Sequence, residues 1–139
     1  MARRIVSEGG PRMRIAMIVV RTLLGLIFFV FGLNGFLHFI PTPPPPPPAA
    51  QFFGALFATG YMIPLIFTAQ VVGGALLLLG VAVPFALVIL APVIVNILLF
   101  HLFLSPGIGP GILAALFEVI LAWHYRAAFA PLFGSSPPM

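Results

Sequence analysis

The chain alternates between long apolar runs and short breaks built from proline and glycine. One apolar run fills 22–40 and stops at Pro41; a second, 61–104, continues for 44 residues. One membrane-crossing helix uses about 20 residues, so the second run holds two. Gly80 and Pro84 divide it, the glycine ending one helix and the proline opening the next. SPGIGPG at 105–111 makes another turn, and a last apolar run ends in a Trp123–His124–Tyr125–Arg126 belt. The pattern predicts an all-α membrane protein: a four-transmembrane-helix bundle forming one transmembrane domain over 1–139, with spans at about 14–40, 62–80, 84–104 and 111–130.

The segments between spans are also informative. Six consecutive prolines, 43–48, predict an extended polyproline connector over 41–48. At about 3.1 Å per residue the prolines make a stiff rod of roughly 19 Å. Its carbonyls would lack donors in lipid, so it belongs outside the bilayer or along a protein surface, as a rigid connector. In AAQFFGALFATG, residues 49–60, Phe52, Phe53, Leu56 and Phe57 fall on one helical side, which predicts a short interfacial helix after span one. Pro92 lies inside the third span, where it frees the carbonyl of Val88 and predicts a kink. Residues 1–13, with Gly9, Gly10 and Pro11, are expected to be flexible, and the tail from Gly134 disordered.

Composition supports the membrane reading. Hydrophobic residues make up 62% and charged residues 6% of the chain, against about 25% charged in soluble domains. The absence of cysteine excludes disulfides, thiol catalysis and thiolate metal sites. The net charge of +4 does not point to nucleic acid, because five of the six Lys+Arg residues lie in the first 21 positions. Such a basic flank marks the cytoplasmic side, with anionic lipid headgroups as its partner. Four spans put both N- and C-termini there, in a bacterial-type inner (plasma) membrane. A signal-peptide core is about 7–15 residues, shorter than this first run, so the first span is expected to be uncleaved. Arg14 and Arg21 are seven apart and share a helical face; with Trp123, Tyr125 and Arg126 they are candidate interface anchors.

Against this apolar background six polar residues call for explanation: Asn34, His38, Gln70, Asn96, His101 and Glu118. Each needs a partner or a task. At 1.5 Å per residue they fall roughly 3–12 Å below the outer boundary, which predicts one outer-leaflet cluster centred on Glu118, Asn34 and His101. Asn34 and His38 are four apart and point the same way. Asn96 and His101 are five apart, about 140° around the helix, and share an axis only with a kink or a wide cavity. Small residues Ala69, Gly73 and Gly74 let the second span pack closely on a neighbour. Glu118, one of two acidic residues, either keeps its proton or pairs with His38 or His101.

Several occupants are chemically conceivable. His38 and His101 would suit a bis-imidazole haem, but no other haem signature is present. A metal held by His38, His101 and Glu118 has no further support, and no metal is assigned. A quinone-type headgroup pocket fits better, with apolar walls and a few convergent polar groups. No hydrolase, P-loop or dinucleotide motif occurs, and no catalytic residue is assigned. The competing reading is that the polar residues only hydrogen-bond helices together in a structural subunit. A small transporter ranks last, because the inner half offers no polar path.

The order of LLGLIFFVFGLNGFLHFIP (23–41), FFGALFATGYMIPLIFTAQVVGGALLLLG (52–80), LAPVIVNILLFHLFL (90–104) and FEVILAWHYRAAFAPLF (117–133) resembles the DoxX-like family of small integral membrane proteins. The resemblance implies a four-helix bundle with an extra helical segment after span one. It also implies an accessory subunit or small-lipophile binder associated with a membrane redox system, with other membrane or redox subunits as partners. Relatives often carry an acid where this chain has Gln70, and the polyproline tract is longer than is usual for the family.

Overall fold

Residues 10–134 are described by a computed structural model, in which they form six α-helices and no strand. The helices are α1 (Pro11–Leu37), α2 (Pro47–Ala58), α3 (Met62–Leu79), α4 (Val83–Phe103), α5 (Gly109–His124) and α6 (Arg126–Phe133). The expected flexibility of residues 1–9 and of the tail from 135 concerns positions outside the described residues.

Helix α1 begins at Pro11, earlier than the flexible segment expected through residue 13. Proline suits this place because its missing N–H has no helical partner there and its φ is already helical. With 27 residues α1 is roughly 40 Å long, the depth of a bilayer with its headgroups. The same property of proline corrects the connector. Pro47 and Pro48 form the first turn of α2, behind an extended Pro46 N-cap at φ −61° and ψ 159°. Two of the six prolines thus belong to the helix, and Ala50 N–H closes its first bond to the Pro46 carbonyl at 2.9 Å.

The α3–α4 hairpin turns at Gly80 (φ 68°). Val81 N–H reaches the Leu76 carbonyl at 3.0 Å and Gly80 N–H that of Leu77 at 3.2 Å, a Schellman closure. Helix α4 runs through Pro92 from Val83 to Phe103.

Helix α1 packs along α3, α3 on α4, α4 on α5, and α5 back on α1, closing a ring of four. The seam between α1 and α3 is glycine-lined. A Cβ on Gly25 would lie 2.9 Å from the Gly74 carbonyl oxygen, and one on Gly74 would lie 2.5 Å from the Phe29 nitrogen. Gly73 turns the other way, onto Leu90 of α4. The adjacent glycines of α3 therefore serve two different neighbours, bringing backbones closer than side chains would allow. Leu24, Phe28, Leu77, Leu87, Leu90 and Leu121 fill the centre and are fully buried.

Helices α1, α3 and α4 are each long and apolar enough to cross a membrane. Only 22–28% of their spanning windows is buried inside the molecule, so most of their apolar surface needs lipid or a partner. The chain is a multi-pass membrane protein. The fourth apolar stretch, expected as one span over 111–130, is broken. Helix α5 stops at His124, and α6 leaves it at 78°. Tyr125 carries the break at φ −94° and ψ 16°. Arg126 stabilises the bend: its Nη1 donates to the Trp123 carbonyl at 2.9 Å, and its guanidinium lies 4.8 Å from the Trp123 ring centre.

Candidate functional site: two clefts under α2 and a third beside Glu118

The end of α1 is built by its polar residues. His38 N–H bonds the Asn34 carbonyl at 2.8 Å, with His38 in the left-handed region at φ 53°. The Asn34 side chain then turns back, its Oδ1 accepting from Ile40 N–H at 2.7 Å. That bond uses the amide oxygen and leaves the –NH2 as a donor. The end of α4 is similar. His101 Nδ1 lies 3.2 Å from the Pro106 carbonyl oxygen. A carbonyl only accepts, so a bond there places the ring proton on Nδ1 and leaves Nε2 with a lone pair.

Helix α2 closes over these ends through aromatic contacts. Phe52 and Phe53 meet Phe100 of α4 at ring separations of 5.7 and 5.2 Å. Phe100 in turn meets the His101 ring edge-on at 5.1 Å. Beneath this roof lies a cleft of about 900 Å³ that Asn34, His38 and His101 all line, with Pro43–Pro46 as one wall. The polyproline segment thus runs along a protein surface. A smaller cleft of about 180 Å³ adjoins it through Phe53, Phe67 and His101, and is lined by Gln70 and Asn96. Gln70 is buried, and Asn96 sits exposed at the rim.

Five of the six polar residues therefore gather around two adjoining clefts, and Glu118 does not. It lines a separate cleft of about 580 Å³ with Leu87, Val88, Trp123, Arg126 and Phe129. The expected cluster centred on Glu118, Asn34 and His101 is corrected on this point. The reason is how α5 sits against α4. Glu118 is nine residues from the start of α5 at Gly109, roughly 14 Å. It packs beside the first half of α4, near the α3–α4 hairpin. On α4 the buried Leu90 and Ile94 separate this cleft from Ile97 and His101. Nor do His38, His101 and Glu118 form a metal set; among the described residues no three His, Asp or Glu side chains come together to hold an ion. One Glu118 oxygen, Oε2, is buried without a hydrogen-bond partner.

The candidate anchors divide as well. Arg14, Arg21 and Tyr125 line a cleft of about 400 Å³ with His124, whereas Trp123 and Arg126 belong to the Glu118 cleft. The Phe52–Phe53–Phe100 roof was not singled out as a unit from sequence, although its helical side was legible in 49–60.

Comparison with protein-family models, curated proteins and solved structures returns no match to this chain.

Proposed function

We propose that the protein holds a small lipophile of quinone type in the cleft beneath α2, as an accessory subunit of a membrane redox system. One observation carries this: Asn34, His38 and His101, from two different helices, line one cleft with aromatic and proline walls. Its volume of about 900 Å³ lies within the usual range for ligand sites, about 300–1,000 Å³. The polar groups are complementary in kind. The Asn34 amide donates, as a quinone carbonyl requires. The His101 Nε2 lone pair accepts, as a hydroquinone hydroxyl requires, so His101 is the group able to take up that proton. A four-span arrangement with cytoplasmic termini in a bacterial-type inner membrane belongs to the same proposal, supported by the ring of α1, α3, α4 and α5. So does membership of the DoxX-like family, supported by segment order.

A second reading, a structural subunit without a ligand, draws on a specific observation too: Asn34 and His101 already bond their own backbone. Ligand titration separates the two. The full chain in detergent is titrated calorimetrically with a short-tailed benzoquinone and its hydroquinone. Each of Asn34→Leu and His101→Leu is expected to weaken binding about tenfold, the value of one hydrogen bond to a buried polar group. Gln51→Ala, on the exposed side of α2, is expected to leave it unchanged. Variants that bind as the parent does but assemble poorly would establish the structural reading.

A further inference from the structure

The cleft between the start of α1 and the end of α5 is not used by the proposed function. Arg14 and Arg21, two turns apart on α1, line it together with His124 and Tyr125. Cationic and donor groups thus converge from two helices.

Arg21 is held in place by the hairpin. Its guanidinium lies over Gly80, where any Cβ would strike it. Gly80 is the left-handed residue that closes α3, so the guanidinium sits at the negative end of that helix. This explains its position but not its bonding: Arg21 Nε is buried and has no hydrogen-bond partner. No acid neutralises the group within the described residues. The chain has two acidic residues; Glu118 lines a different cleft, and Glu8 lies outside the described part. The Arg21 guanidinium and a second arginine lining the same cleft make a cationic site suited to an anion.

We infer that this cleft binds the phosphate group of an anionic phospholipid. The phosphodiester would bridge Arg21 and Arg14, with Tyr125 and His124 as further donors. A lipid is favoured over a soluble phosphate by location. The cleft lies at the end of the bundle that carries the aromatic–cation belt, the composition found at headgroup depth. Its walls also include Met13, Met17 and Ile18, which give an acyl chain an apolar path.

The test uses the full chain in neutral detergent and a short-chain phosphatidylglycerol labelled on one acyl tail, read by fluorescence polarisation. Arg21→Gln is expected to weaken binding at least tenfold, the value of lost charge-assisted bonds. Arg21→Lys, which keeps the charge and loses the fork, is expected to weaken it several-fold. Tyr125→Phe, which removes one hydroxyl and no charge, is expected to weaken it about threefold, and it gives a second readout should Arg21 variants fail to fold. Arg12→Gln, on α1 but outside the cleft lining, should change binding less than about twofold. Equal losses for Arg21→Gln and Arg12→Gln, with Arg21→Lys as tight as the parent, would show diffuse surface attraction and overturn the site. Displacement of the probe by inorganic phosphate as readily as by unlabelled phosphatidylglycerol would overturn the lipid assignment.

Discussion

Gly74→Leu is expected to destabilise the protein by about 3 kcal/mol or more, seen as a lower midpoint in SDS titration from mixed micelles. The cause is backbone against backbone. A Cβ at this position would lie 2.5 Å from the Phe29 nitrogen and 2.8 Å from the Gly25 carbonyl oxygen, neither of which can rotate away. Even Gly74→Ala should be destabilising. Alanine gains up to about 1 kcal/mol in helix propensity, but overpacking that moves a helix costs about 1–3 kcal/mol. Two comparisons isolate the effect. At Gly73 the nearest atoms to an added Cβ belong to the Leu90 side chain, at 2.7–3.1 Å; side chains yield more cheaply, so Gly73→Ala should cost less. At Gly54 nothing lies within 4 Å, so Gly54→Ala should stabilise by up to about 1 kcal/mol. If Gly74→Ala were as stable as Gly54→Ala, α1 and α3 would not be in backbone contact.

Removing an ionisable group is expected to act in the opposite direction at Glu118. Glu118→Leu should stabilise the isolated chain by about 1–2 kcal/mol, since a buried oxygen without a donor costs about 1–3 kcal/mol and leucine fills a similar volume. The site is 9% exposed and its cleft walls are mostly apolar, so the substitution meets suitable surroundings. Glu118→Lys should destabilise by about 3 kcal/mol, because it places a cation among Leu87, Val88 and Val119 near Arg126. Both effects are read in the same SDS titration. A loss of stability in Glu118→Leu would mean that Oε2 has a donor, contrary to the structure.

Much of this architecture was legible because bilayers impose a simple rule on length. Breaks at Gly80 and Pro84 placed the α3–α4 turn within a residue or so of its observed position, whereas α1 ends at Leu37, three residues before the end expected from Pro41. The glycine pair 73–74 was legible as a packing surface, though not that its two members face different helices. The roles of Pro47 and Pro48 were missed because a proline run looks extended throughout, whereas a helix accepts prolines in its first turn. The break at Tyr125 was missed because no proline or glycine marks it. What accompanies it instead is Arg126 folded onto the Trp123 ring and carbonyl.

The candidate site shows the same division. Depth along a helix follows from counting residues, so five polar positions at one end of the bundle could be anticipated. Azimuth and the true end of a helix do not follow from counting. Glu118, counted from the start of its helix, falls near that depth, but the packing of α5 on α4 puts it on another cleft, beside Leu87 and Val88. Sequence alone determined that this chain lies in a membrane, where its helices turn, and which polar residues are costly, because each depends on local composition and the 1.5 Å rise. Tertiary structure decided which of those residues meet: Asn34, His38 and His101 on one cleft, Glu118 apart with Arg126, and Arg21 fixed over Gly80. Those meetings depend on how helices rotate and approach one another, and close contacts such as Gly25 against Gly74 set that geometry.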